Sequence, residues 1–210
     1  MKKEVLLPLT GVIFIVLVIV GFIVGGEPPD ADEPLQDIVD FYVDDRDSIL
    51  AGVYLLGLAT VFFVFFANYL RTVFYGTRAA ATILVGAAIF VVGGAIDGSL
   101  LIAMTEAADN DVPPESIQTL QAYWDNDFLA FAIGITVFVT SVGISILRTA
   151  VLPRWLGWVA LVVALVSVIP LIGFFAFPLT GLLILVLSVM LTVRARRAAA
   201  TPPAGAVPPA

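Results

Sequence analysis

One carboxylate sits where composition does not call for it. Asp97, within Gly93-Gly94-Ala95-Ile96-Asp97-Gly98-Ser99, is the only ionisable side chain well inside an apolar stretch. An aspartate at mid-membrane costs about 2.5–3.5 kcal/mol on insertion scales, so such a residue is retained for a reason. Two kinds of chemistry fit it: a protonatable or cation-binding carboxylate facing other helices, or a packing carboxylate hydrogen-bonded to a neighbour or wetted from one face. It lies nineteen residues beyond Arg78, which places it in the outer half of a regular helix. Gly94 and Gly98 bracket it in a G-x-x-x-G spacing, which allows another helix backbone to approach and bring a partner group to the carboxylate. The same spacing recurs at Gly21 and Gly25. These three residues, Asp97, Gly94 and Gly98, form the candidate site.

The remaining polar residues suggest less. Thr136, Thr140, Ser141 and Ser145 along one apolar segment read as helix-to-helix hydrogen-bonding groups, and Asn68 lies near the far end of another, out of reach of Asp97. The runs Asp44-Asp45-Arg46-Asp47 and Asp109-Asn110-Asp111 hold clustered oxygens but neither the spacing nor the closing glutamate of a calcium loop. Cysteine and histidine are absent, which removes thiol nucleophiles, disulfides, Cys/His zinc sites, His-ligated haem and serine–histidine catalysis. The G-x-G-D signature of intramembrane aspartyl proteases is absent too. No catalytic constellation, metal site or cofactor site is expected, and nothing points to nucleic acid.

The elements that position Asp97 follow from hydropathy. With 60% hydrophobic and 13% charged residues and a mean hydropathy of +1.08, the chain is suited to a bilayer. A helix needs about 20 apolar residues to cross ~30 Å of hydrocarbon. Spans are expected at about 5–26, 49–70, 79–104, 128–147, 155–174 and 178–193. The fold class is therefore all-α, a polytopic membrane bundle of six transmembrane helices, followed by a disordered cytoplasmic tail at 195–210. The first span is longer than the apolar core of a signal peptide and ends Val24-Gly25-Gly26, without an A-x-A-like site, so it is expected to stay. The last two spans come from one uncharged run of 39 residues, Trp155 to Val193, which must turn between Pro170 and Pro178. A re-entrant loop is the alternative reading of that turn.

Basic residues near span ends are retained in the cytoplasm. An N-in, C-in arrangement puts nine of the ten there, at Lys2, Lys3, Arg71, Arg78, Arg148, Arg154, Arg194, Arg196 and Arg197, and leaves only Arg46 outside. Fifteen of the seventeen acidic residues then fall in two outer loops. Both loops carry amphipathic helical spacing. Pro34, Leu35, Ile38, Val39 and Tyr42 form one apolar face, with Asp32 or Glu33 as its cap, and Ile117, Leu120 and Trp124 form another behind Pro114. Asp125 is placed to cap the span that follows. Tyr42 and Asp44 before one span echo Tyr123 and Asp125 before another, and both spans close on Leu-Arg-Thr. A duplicated hairpin of parallel topology would produce that echo, but two spans meeting the same interface rules are the simpler account.

The turn Ile146-Leu147-Arg148-Thr149-Ala150-Val151-Leu152-Pro153-Arg154-Trp155-Leu156-Gly157-Trp158 resembles the L-x-R-S-x-L-V-P-R-W-L-G turn of bacterial membrane proteins grouped as domain of unknown function (DUF) 4386. Ile49 to Leu55 and Leu70-Arg71 look like related actinobacterial proteins. The resemblance spans roughly Phe41 to Val193 and implies a fold without an activity. In that group the third span carries Arg-x-x-Glu. Gly94 and Asp97 stand at the corresponding positions, so the acid is kept in kind and the arginine is missing.

Two functions are compatible with these features. One is a non-enzymatic protein of the bacterial plasma membrane, structural or regulatory, acting on a membrane-protein partner or a second copy of itself within the lipid bilayer. The other is a small transporter or channel-like protein using Asp97 as a proton or cation site.

Overall fold

A computed structural model describes residues 6–110, 112–169 and 175–200. The described residues form eight α-helices and no strand: α1 (Thr10–Gly25), entered through a short 3-10 turn at Leu7–Leu9, α2 (Leu35–Asp44), α3 (Arg46–Val73), α4 (Ala79–Asp109), α5 (Pro114–Asn126), α6 (Leu129–Thr149), α7 (Arg154–Ser167) and α8 (Ala176–Ala200). Five helical stretches among the described residues are long and apolar enough to cross a membrane: Leu7–Gly25, Arg46–Val73, Ala79–Asp109, Pro114–Thr149 and Ala176–Ala199. The fourth combines α5 with α6, whose 21 residues hold its apolar part.

The long helices end where the backbone must turn. Gly26 stops α1 at φ 73°, and Gly76, at φ 92°, turns the chain between α3 and α4. Ala150 closes α6 in the left-handed region at φ 50°, a conformation that costs a side-chain-bearing residue about 1–2 kcal/mol, and Pro153 then prevents the helix from continuing.

Around the bundle, α1 packs on α3, α3 on α4, α4 on α6, α6 on α7, α7 on α8, and α8 returns to α1, so the six apolar helices make a closed ring. Glycines permit the tightest crossings. A Cβ on Gly52 would meet Gly25 Cα at 2.6 Å and the Gly21 carbonyl oxygen at 2.9 Å, so the first G-x-x-x-G pair serves the α1–α3 contact. Between α4 and α6, a Cβ on Gly86 would lie 2.3 Å from the Phe138 nitrogen, and one on Gly134 2.6 Å from the Phe90 nitrogen. Hydroxyls add further ties: Thr82 of α4 with Ser141 of α6 at 2.7 Å, Thr77 of the turn before α4 with Ser145 of α6 at 3.2 Å, and Thr136 of α6 with Ser167 of α7 at 2.6 Å. Three of the four hydroxyl residues singled out along α6 thus do what intramembrane polar residues are expected to do.

Several expectations change. Within the span expected at 155–174, α7 has 14 residues, which at ~1.5 Å each reach about 21 Å, and residues 170–174 of that span lie outside the described residues. Most of the turn expected between Pro170 and Pro178 lies outside the described residues. Pro178 itself sits in the first turn of α8, where its missing N–H costs no hydrogen bond. The tail was expected to be irregular from 195, but α8 continues to Ala200, through a stretch of alanine and arginine that favours helix. Residues 201–210 lie outside the described set.

Candidate functional site

Both loop helices exist, and they pack on one another and on the ends of α3 and α4 around Ile38, Tyr42, Ile49, Met104 and Ile117. Their capping differs from expectation. Pro34 and Pro113 precede the two helices without a side-chain cap, so neither Asp32 nor Glu33 caps α2. Asp125 does not cap α6. One of its oxygens accepts the Ala31 N–H at 2.9 Å and the other accepts Gln121 Nε2–H at 2.7 Å, while Gln118 Nε2 donates to the Ala31 carbonyl at 2.9 Å. The fully buried Tyr42 hydroxyl donates to Gln121 Oε1. Burial, and then the negative charge of Asp125, push the Tyr42 phenol pKa up. Arg46 holds Glu106 at 2.6 Å and Asp109 at 3.7 Å, joining the start of α3 to the end of α4. Loop acids that looked like leftover surface charge thus tie two distant loops into one cap.

Beneath that cap, Asp97 lines a cavity of about 230 Å³ bounded by α1, α3 and α4, with Trp124 of α5, Phe131 of α6 and Phe177 of α8. Its Oδ1 is buried and has no hydrogen-bond partner. Ser99, two residues on, returns its hydroxyl to the Ala95 carbonyl of its own helix. The charged neighbour that acts on Asp97 through space is a second carboxylate, Asp127. Trp124 brings a second unpartnered group to the same cavity, its buried indole N–H.

Gly94 and Gly98 also line this cavity. The backbone approach expected at them is not found. A Cβ on Gly94 would meet only the Phe131 ring at 3.8 Å, and one on Gly98 the Val53 side chain at 3.1 Å. Their lack of a side chain leaves room beside the carboxylate, and the close helix contacts lie elsewhere, at Gly86, Gly134 and Gly52.

A second cavity, of about 360 Å³, adjoins the first and is bounded by α1, α3, α4, α6 and α8. Phe14, Val18, Phe22, Phe90 and Phe177 line both and form the partition. Phe90 stacks on Phe177 with ring centres 6.2 Å apart, and Phe22 meets Phe177 edge-on at 6.1 Å. Thr180 Oγ1, buried and unpartnered, belongs to this inner chamber. Nothing in the sequence marks Trp124, Thr180 or the partition as a site. The nearest signal is the abundance of phenylalanine, 15 in the chain, on helices that have no reason to expose a ring to water.

Among the described residues no group of His, Cys, Asp or Glu could hold a metal ion. Compared with protein-family models, curated proteins and solved structures, the chain matches none. The turn that carries the DUF4386 resemblance is a packing element: Leu152 and Leu156 are buried, Gly157 fits against the Gly143 carbonyl oxygen, and Arg194 donates to the Val151 carbonyl.

Proposed function

We propose that the chain is a six-span, non-enzymatic protein of the bacterial plasma membrane, related to the DUF4386 group, with both termini in the cytoplasm, and that it works as a small transporter through a proton- or cation-binding site at Asp97. Of the two roles open from sequence, the transporter is favoured by one observation: a carboxylate oxygen buried in a cavity without a donor or a positive charge to satisfy it. A packing carboxylate would have found a neighbour, because a buried unpaired acceptor costs about 1–3 kcal/mol and more when charged.

Six spans are supported by the uncharged run of 39 residues, which is long enough for two crossings. They are supported too by the contact of Arg194 with the Val151 carbonyl, which brings the basic end of α8 beside the basic turn before α7. The Thr77–Ser145 contact joins the other basic turn to that same end.

Proteoliposomes test the function. Asp97→Asn should leave expression and folding intact and abolish the proton- or cation-linked flux that the wild type carries. Equal flux through both proteins would remove Asp97 from the mechanism. Reporter fusions after Arg78 and Asp111 should read inside and outside respectively.

A further inference from the structure

Resting on the reading of Asp97 as a cation site, we infer that its ligand is a lipophilic ammonium, an amine carrying an apolar body, held head-first against Asp97 with the body in the Phe-lined chambers. Inorganic cations are excluded by their coordination. A hard cation takes about six or more oxygens, and this cavity offers one carboxylate and the hydroxyls of Thr60 and Ser99, which donate to carbonyls of their own helices, beside phenylalanine, glycine and aliphatic walls. An organic ammonium needs far less. It donates to one carboxylate oxygen and is otherwise stabilised by aromatic faces, which Phe14, Phe22, Phe90, Phe131, Phe177 and Trp124 supply around the same space.

Charge points the same way. Among the described residues the charged neighbour of Asp97 is a second carboxylate, Asp127, so the positive charge that would hold Asp97 ionised has to come with the ligand. The inner chamber of about 360 Å³ falls within the range of small-molecule sites and is reached across an aromatic partition, giving the apolar body a place that inorganic ions do not require.

The test compares two molecules with one body and different heads, 4-phenylbutylamine and 4-phenylbutanol, binding to the full chain in phosphatidylcholine nanodiscs, with empty discs subtracted. The wild type should bind the amine at least about tenfold tighter than the alcohol, Asp97→Asn should bind both alike, and Asp97→Glu should restore the preference. The preference for the amine should survive excess sodium chloride. Equal affinities in the wild type, or a preference surviving in Asp97→Asn, would overturn the inference, and the wild-type ratio decides alone if the Asn variant does not fold. Loss of the preference in sodium chloride would overturn it as well. The two claims fail separately: Asp97-dependent proton or sodium flux without amine preference keeps the transport reading and removes this ligand, whereas amine preference without flux does the reverse.

Discussion

Gly86 and Phe138 meet backbone to backbone: a Cβ placed on the glycine would lie 2.3 Å from the Phe138 nitrogen and 2.7 Å from its Cα. The relation is reciprocal, since Gly134, four residues before Phe138, faces Phe90, four residues after Gly86. Each helix thus offers a glycine notch to the other and carries a phenylalanine one turn away. Phe90 lines both cavities and Phe138 the larger one, so this close crossing also places rings in the cavity walls.

Gly86→Ala should therefore destabilise the protein by about 1–3 kcal/mol or more, because the atom it strikes is backbone and cannot rotate away. Gly57→Ala, where nothing lies within 4 Å of the added methyl, is the matched control and should be neutral. Thermal midpoints in detergent compare the two.

Ala150→Gly should stabilise. The residue holds φ 50° at the end of α6, where glycine carries no Cβ penalty, and a gain of about 1 kcal/mol is expected. A lower midpoint for this variant would mean that the turn is held by something other than its cap geometry.

Alkaline pH should loosen the cap of loop helices through Tyr42. Its folded-state pKa lies above the ordinary phenol value of 10.0, so its contribution is complete below that pH. Above it, the unfolded chain has lost a proton that the folded one retains, and stability falls as pH rises. Tyr42→Phe should be less stable at neutral pH, having lost the hydrogen bond to Gln121, and should lack this part of the alkaline decline. Absorbance at the phenolate band should show a late-titrating tyrosine, and that late step should vanish in the variant.

Asp97→Leu should raise stability while removing binding, by about 1–3 kcal/mol, because it replaces an unpaired buried acceptor with a side chain suited to the cavity. A loss of stability would indicate that the carboxylate is a packing group after all.

The spans were legible because bilayer thickness imposes a length and because arginine marks one side of each turn. α7 was not, since a hydropathy count over Trp155 to Val193 registers charge and length but not the point where a helix stops. Asp97 was legible as an exception to composition. Its surroundings were not: Phe14, Phe90 and Phe177 belong to helices apolar on every side, where no period separates a ring facing lipid from one facing a chamber. Choosing between Gly94/Gly98 and Gly86/Gly134 required the α4–α6 register, and those two glycines stand 48 positions apart in the chain. The cap was legible as two amphipathic helices, while its Tyr42–Gln121–Asp125 tie joins loops about 80 residues apart and has no local signature.

Ring closure has a consequence for biogenesis. Both chambers take walls from α1 and from α8, the first and last long helices, and Ser188 of α8 donates to the Pro8 carbonyl at the entrance to α1. Until α8 leaves the ribosome, the Asp97 chamber lacks one wall and stands open to lipid. Nascent chains therefore complete the site only once α8 has emerged, and a chain cut short before Ala176 would insert the preceding helices without that wall.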